Sequence, residues 1–119
     1  MSDARELSLT WSSPQPGVVC AAVAGDLDYE SADTLTSEVG ARLHRGGLRE
    51  LHLDCGGLGY CDSYGLSSLL MVRRRTAAAG VVLHLDNRRP ALERLLQVTR
   101  TLDHLVGGAG RSREELSDT

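Results

Sequence analysis

Between Glu6 and Ser12, Leu7, Leu9 and Trp11 alternate with Ser8 and Thr10, the two-residue period of a strand with one face turned inward. Pro14, Pro16 and Gly17 then supply turn chemistry. From Val18 to Ala24 the apolar positions run together and stop at Gly25, the pattern of a buried strand, so the first two strands read as a hairpin. Beyond it the period lengthens. Ala32, Leu35, Val39 and Leu43 recur at helical spacing, and Gly46-Gly47 ends that helix. Alternation returns over Arg49–Cys55, with Leu51, Leu53 and Cys55 on one face, and the glycines at 56, 57 and 59 predict a loop. Leu66, Leu69 and Leu70 open a second helix that closes at Gly80. Val81, Leu83 and Leu85 mark another strand, and Pro90 suits the first position of a third helix carrying Leu92, Leu95 and Leu96. The spacing of Leu102, Leu105 and Val106 predicts a last short strand or turn.

The order β-β-α-β-α-β-α predicts an α/β domain with a mixed, mostly parallel sheet and helices packed mainly on one face. Residues 1–106 are expected to form this single domain. Residues 107–119, rich in Gly, Arg, Glu and Ser, are expected to be a disordered tail. The tetrapeptide Leu51-His-Leu-Asp54 repeats as Leu83-His-Leu-Asp86. On adjacent parallel strands the leucines face the helices, and His52 and His84 face the other, partly solvated side. The expectation for Asp54 and Asp86 is the face away from the histidines. That leaves a two-histidine pair with no further ligand, read as surface histidines, and no metal or cofactor is expected.

Composition narrows the class of function. The 119 residues suffice for one core, and the 41% apolar fraction is almost wholly Leu, Val and Ala, with no Phe, Ile or Lys and one Asn. Those absences are what a gene from a GC-rich genome produces, and a bacterial source is expected. Thirteen arginines stand against 16 acidic residues, a net charge of -3 that argues against nucleic-acid binding. Arg73-Arg-Arg75 falls in the latter half of a helix, where cations compensate the dipole. No apolar run reaches bilayer span and the start lacks a basic-then-apolar leader, so a cytoplasmic chain without membrane insertion is expected. In that compartment Cys20, Cys55 and Cys61 are free thiols, with Cys20 expected in the core.

The densest cluster of unusual residues is Cys61-Asp-Ser-Tyr-Gly-Leu66, after a strand and opening a helix. Asp62 or Ser63 is the natural N-cap. A hydroxyl here lies at the positive end of the helix dipole, where the fold tolerates a phosphate while a partner meets about two added negative charges. Gly56-Gly57-x-Gly59 lacks the Lys and Ser/Thr of a P-loop. A cysteine before a helix start suggests a nucleophile at Cys61 or Cys55, but no His or Asp is tied to either by sequence.

Asp62-Ser63-Tyr64-Gly65-Leu66 resembles the D-S-[ST]-G-L signature of STAS domains, the module of bacterial anti-sigma factor antagonists, and Gly25-Asp26-Leu27-Asp28 is similar to that family's G-E-L-D turn. The resemblance spans roughly residues 7 to 106 and takes in Leu53-Asp54, Val81–Asp86 and Leu102-Asp-His-Leu105. It implies a non-enzymatic STAS-like domain that binds an anti-sigma factor of the ATP-binding serine-kinase type and frees a sigma factor, with a phosphatase as a further partner. Asp26, Asp28, Asp62, Ser63, Tyr64, Gly65 and Leu66 are then the partner-binding residues. The family's acceptor position, before Gly65, is Tyr64 here, so three readings stand: phosphate on Ser63, phosphate on Tyr64, or constitutive binding. The alternative function is a STAS accessory or sensory subunit of a transporter or stress-signalling complex.

Overall fold

The computed structural model describes residues 6–98. Its elements follow the expected order: β1 (Ser8–Gln15), β2 (Val18–Leu27), α1 (Ala32–Arg45), β3 (Glu50–Cys61), α2 (Ser63–Ala78), β4 (Val82–Asp86) and α3 (Pro90–Val98). They form one four-stranded sheet in the order β1-β2-β3-β4. The β1–β2 pair is antiparallel, turning at Gly17 (φ +81°), and the β2–β3 and β3–β4 pairs are parallel. Residues 99–119, with the predicted strand or turn at Leu102–Val106 and the predicted tail, lie outside the described residues.

One face of the sheet carries the core. Leu51, Leu53 and Cys55 of β3 and Val19, Ala21 and Val23 of β2 are buried against Leu35 and Val39 of α1, Leu69 and Val72 of α2, and Leu92 and Leu96 of α3. Burying a Leu or Val side chain is worth about 1.5–3 kcal/mol. The buried hydroxyls of α2 do not oppose this, because Ser68 donates to the Gly65 carbonyl at 2.7 Å and Thr76 to that of Arg73 at 3.0 Å.

Four expectations are corrected. The glycine stretch is not a loop: β3 runs on to Cys61, with register shifts against β2 between Ala22 and Ala24 and between Gly25 and Leu27. Gly57 fits there because a Cβ would come within 3.1 Å of both Ala24 Cβ and the Val23 carbonyl oxygen. Pro14 lies within β1, where a register irregularity on an edge strand tolerates its missing N–H. Cys20 is half-buried opposite His52, on the face away from the helices, and does not join the core. Finally, Asp54 and Asp86 share the face of His52 and His84, since residues two apart on a strand point the same way. The Asp86 carboxylate lies 2.8 Å from His52 Nδ1.

Candidate functional site

Parallel pairing of β2 and β3 aligns their carboxyl ends, with Leu27 opposite Cys61. The chain leaves β2 through Asp28–Ser31 into α1, and leaves β3 through Asp62 directly into α2. The two motifs, far apart in sequence, therefore meet at one end of the sheet, where α1 and α2 begin.

Carboxylates brace this junction. Asp62 is the N-cap of α2: its Oδ1 accepts from the Gly65 N–H at 2.9 Å, and its Oδ2 accepts from the Tyr29 N–H at 3.2 Å in the opposite loop. Its own N–H donates to the Leu27 carbonyl at 3.2 Å. Asp26 Oδ1 accepts from the Tyr60 N–H at 3.0 Å, a second tie between the strand ends. Asp28 Oδ1 accepts from the Glu30 N–H at 3.0 Å, and the Ser31 hydroxyl donates to the Asp26 carbonyl at 2.8 Å. Each of the three aspartates thus has a scaffolding task. Their charges still gather at one site, beside exposed Glu30.

Gly65 explains why the helix can start so close to β2. A Cβ at this position would sit 2.2 Å from the Leu27 carbonyl oxygen and 2.9 Å from Cys61 Sγ. Leu66 is only 8% exposed and belongs to the core. Gly65 and Leu66 therefore shape the helix entrance from within, and of the signature it is Ser63 and Tyr64 that stand exposed.

Tyr64 is 56% exposed, and its ring meets that of Tyr29, 71% exposed, edge-on at a centroid distance of 5.0 Å. Tyr60, 58% exposed, completes the set, so all three tyrosines of the chain gather at this end of the sheet. From the Tyr29–Tyr64 pair a shallow groove of about 370 Å³ runs between α1 and α2, lined further by Asp33, Thr36, Ser67, Met71 and Arg75. The sequence reading singled out Tyr64 but missed Tyr29 and Tyr60. A signal was available: aromatics make up 3% of the chain, yet each of these two lies within three residues of a motif.

Cys55 and Cys61 are held as thiols, against activation as nucleophiles. Burial, and then the charge of Asp54, pushes the Cys55 thiol up to about 12. Burial, and then Asp62, does the same for Cys61, also to about 12. Both shifts oppose the thiolate that a nucleophilic role requires. Arg75 closes the basic run in the last turn of α2, as dipole compensation expects.

Residues 12–107 match the profile of a family described as Mlab, STAS domain. Among solved structures, an anti-sigma factor antagonist from Mycobacterium paratuberculosis is similar, with TM-score 0.72 and 20% identity over 97% of this chain and 94% of that one. The phosphorylated form of SpoIIAA, a Bacillus cell-fate determinant, gives TM-score 0.66 and 17% identity, covering 91% and 95% of the two chains. The murine anion transporter Slc26a9 gives TM-score 0.67 and 16% identity over 79% of this chain and 18% of the transporter. At these identities the likeness is one of fold.

Proposed function

Because the chain belongs to the STAS domain family, we propose that it is an anti-sigma factor antagonist: it binds an anti-sigma factor of the ATP-binding serine-kinase type in the cytoplasm and so releases a sigma factor for transcription. The observation that carries this reading is the pairing of exposed Tyr29 and Tyr64 at a helix entrance that three carboxylates hold in place. Exposed tyrosines on a rigid platform make good interface anchors, because they bring large contact area at small entropic cost. The acidic groups beside them suit a basic partner surface and speed its approach. Fold likeness to an anti-sigma factor antagonist supports the same conclusion. Binding acts through surface complementarity and needs no catalysis by this chain. Among the described residues no helix is long and apolar enough to cross a membrane.

Binding is phosphate-independent in this reading, since the signature position carries Tyr64, whose hydroxyl stands well away from where a serine hydroxyl would be. Ser63, exposed in the first turn of α2, is the one aliphatic hydroxyl within the signature. Incubation with the partner kinase and ATP, followed by mass spectrometry, tests this. No mass shift with retained binding is expected; a shift lost in Ser63→Ala would make Ser63 a phospho-switch.

Calorimetry against kinase-type anti-sigma factors from the same genome tests the function itself. Tight binding to at least one is expected, with Tyr64→Ala raising Kd about thirty-fold, the effect of losing about 2 kcal/mol at an anchor. Failure to bind any of them would end the proposal. It would favour the second reading, an accessory or sensory subunit of a transporter or stress-signalling complex, which rests on the same fold occurring within a transporter chain.

A further inference from the structure

The sheet face turned away from the helices carries a group of side chains that the docking reading does not use. Parallel register sets His52 beside His84, with their rings stacked at a centroid distance of 4.2 Å and an interplanar angle of 9°. Glu50, two residues before His52 and so on the same face, places Oε1 3.0 Å from His52 Nε2 and 3.6 Å from His84 Nε2. The three residues offer one donor atom each, all within 4.8 Å of one another. On the far side of the His52 ring, Asp86 Oδ2 lies 2.8 Å from Nδ1.

We propose that Glu50, His52 and His84 form a binding site for a zinc-class divalent cation on the open face of the sheet. Two imidazole nitrogens and one carboxylate oxygen are the donor set that a borderline cation such as Zn²⁺ prefers and that Mg²⁺ does not. Bonds of about 2.1 Å at tetrahedral angles put neighbouring donors about 3.4 Å apart. The separations of 3.0 and 3.6 Å from Glu50 bracket that value. Asp86 supplies the carboxylate behind a metal-bound histidine: by accepting a hydrogen bond from the Nδ1–H it holds the tautomer whose Nε2 is free to coordinate. Glu50, His52 and His84 are all partly exposed, so a cation can reach them. Because the stacked rings aim their lone pairs side by side, coordination requires the half-exposed His84 ring to turn out of the stack toward the ion. Strands β3 and β4 fix the spacing, and the fourth coordination position faces solvent. The site is on the face opposite the core, so occupancy need not alter the helix entrance.

The test is titration of the full chain with Zn²⁺ in competition with a chelating dye, in buffer free of other chelators. One equivalent is expected to bind, with His52→Gln and His84→Gln each weakening affinity at least tenfold and Asp86→Asn about ten- to a hundredfold. His44→Gln and Cys20→Ser should leave it unchanged, and Mg²⁺ should not compete. A readout without mutation guards against misfolded variants: Zn²⁺ should shift the ring-proton NMR signals of His52 and His84 and spare those of His44. Absence of binding by the folded chain, or binding that survives both histidine substitutions or is lost in Cys20→Ser, overturns the proposal and leaves a hydrogen-bonded surface pair.

Discussion

Replacing Gly65 with Ala should destabilise the domain even though alanine is the better helix former. The added methyl would stand 2.2 Å from the Leu27 carbonyl oxygen, and that obstacle is backbone, held at the paired end of β2. Ordinary van der Waals separation demands a shift of roughly 1 Å. The shift must loosen the Asp62 N–H bond to Leu27 and the cap from Asp62 to residue 65. Forced overpacking costs about 1–3 kcal/mol and a lost cap about 1 kcal/mol, while alanine's propensity returns about 1 kcal/mol. The net loss is about 1–3 kcal/mol, a fall in Tm of about 5–20 °C for a domain of this size. Gly40→Ala is the internal control. It lies within α1, and its Cβ would meet only Arg75 Nη1 at 3.0 Å, the far end of a flexible side chain. That variant should be neutral or stabilised by up to about 1 kcal/mol. Thermal and urea unfolding followed by circular dichroism measures both. If Gly65→Ala matches the wild type, or the two variants shift together, the close helix–strand approach does not explain the signature glycine.

Two further outcomes are expected, one at the same junction and one at the buried thiols of β3. Asp62→Ala removes acceptors from both Gly65 and Tyr29 and should cost about 1–2 kcal/mol in urea unfolding, whereas Asp62→Asn keeps a good cap and should cost less. Cys55 and Cys61 keep their protons in the folded chain up to about 12, against 9.0 for an unperturbed thiol. The unfolded chain ionises first, so the stability these thiols contribute is complete below pH 9 and is lost as pH rises toward 12. Alkaline unfolding of Cys55→Ala/Cys61→Ala should show a shallower fall than the wild type, and native alkylation of both thiols near neutral pH should be slow.

Much of the fold is legible because local period and burial agree. Leu35 and Val39 of the helical pattern are the residues α1 buries, Pro90 does begin α3, and the repeated Leu-His-Leu-Asp block lies in register on neighbouring strands. What fails to show is what side chains cannot report. Glycines at 56, 57 and 59 erase the alternation of β3, although the backbone ladder continues through them. The Tyr29–Tyr64 contact depends on parallel strand ends coming together, a non-local fact that no window of sequence contains. The acidic character of the site is visible in Asp26, Asp28 and Asp62, but their bonds to the N–H groups of Tyr60, Glu30 and Tyr29 are not. Asp86 was readable: strand parity alone places it with His52, and Glu50 joins them by the same rule.

Hydrogen exchange of the chain, free and bound to the kinase-type anti-sigma factor proposed as its partner, asks directly whether the helix entrance is the docking face. Slowed exchange should concentrate in residues 26–31 and 60–71, with Glu50–Asp54 and Val82–Asp86 unchanged. Protection confined to those two strand segments, with the tyrosine-bearing end exchanging as in the free chain, would place the partner on the opposite face and contradict the account.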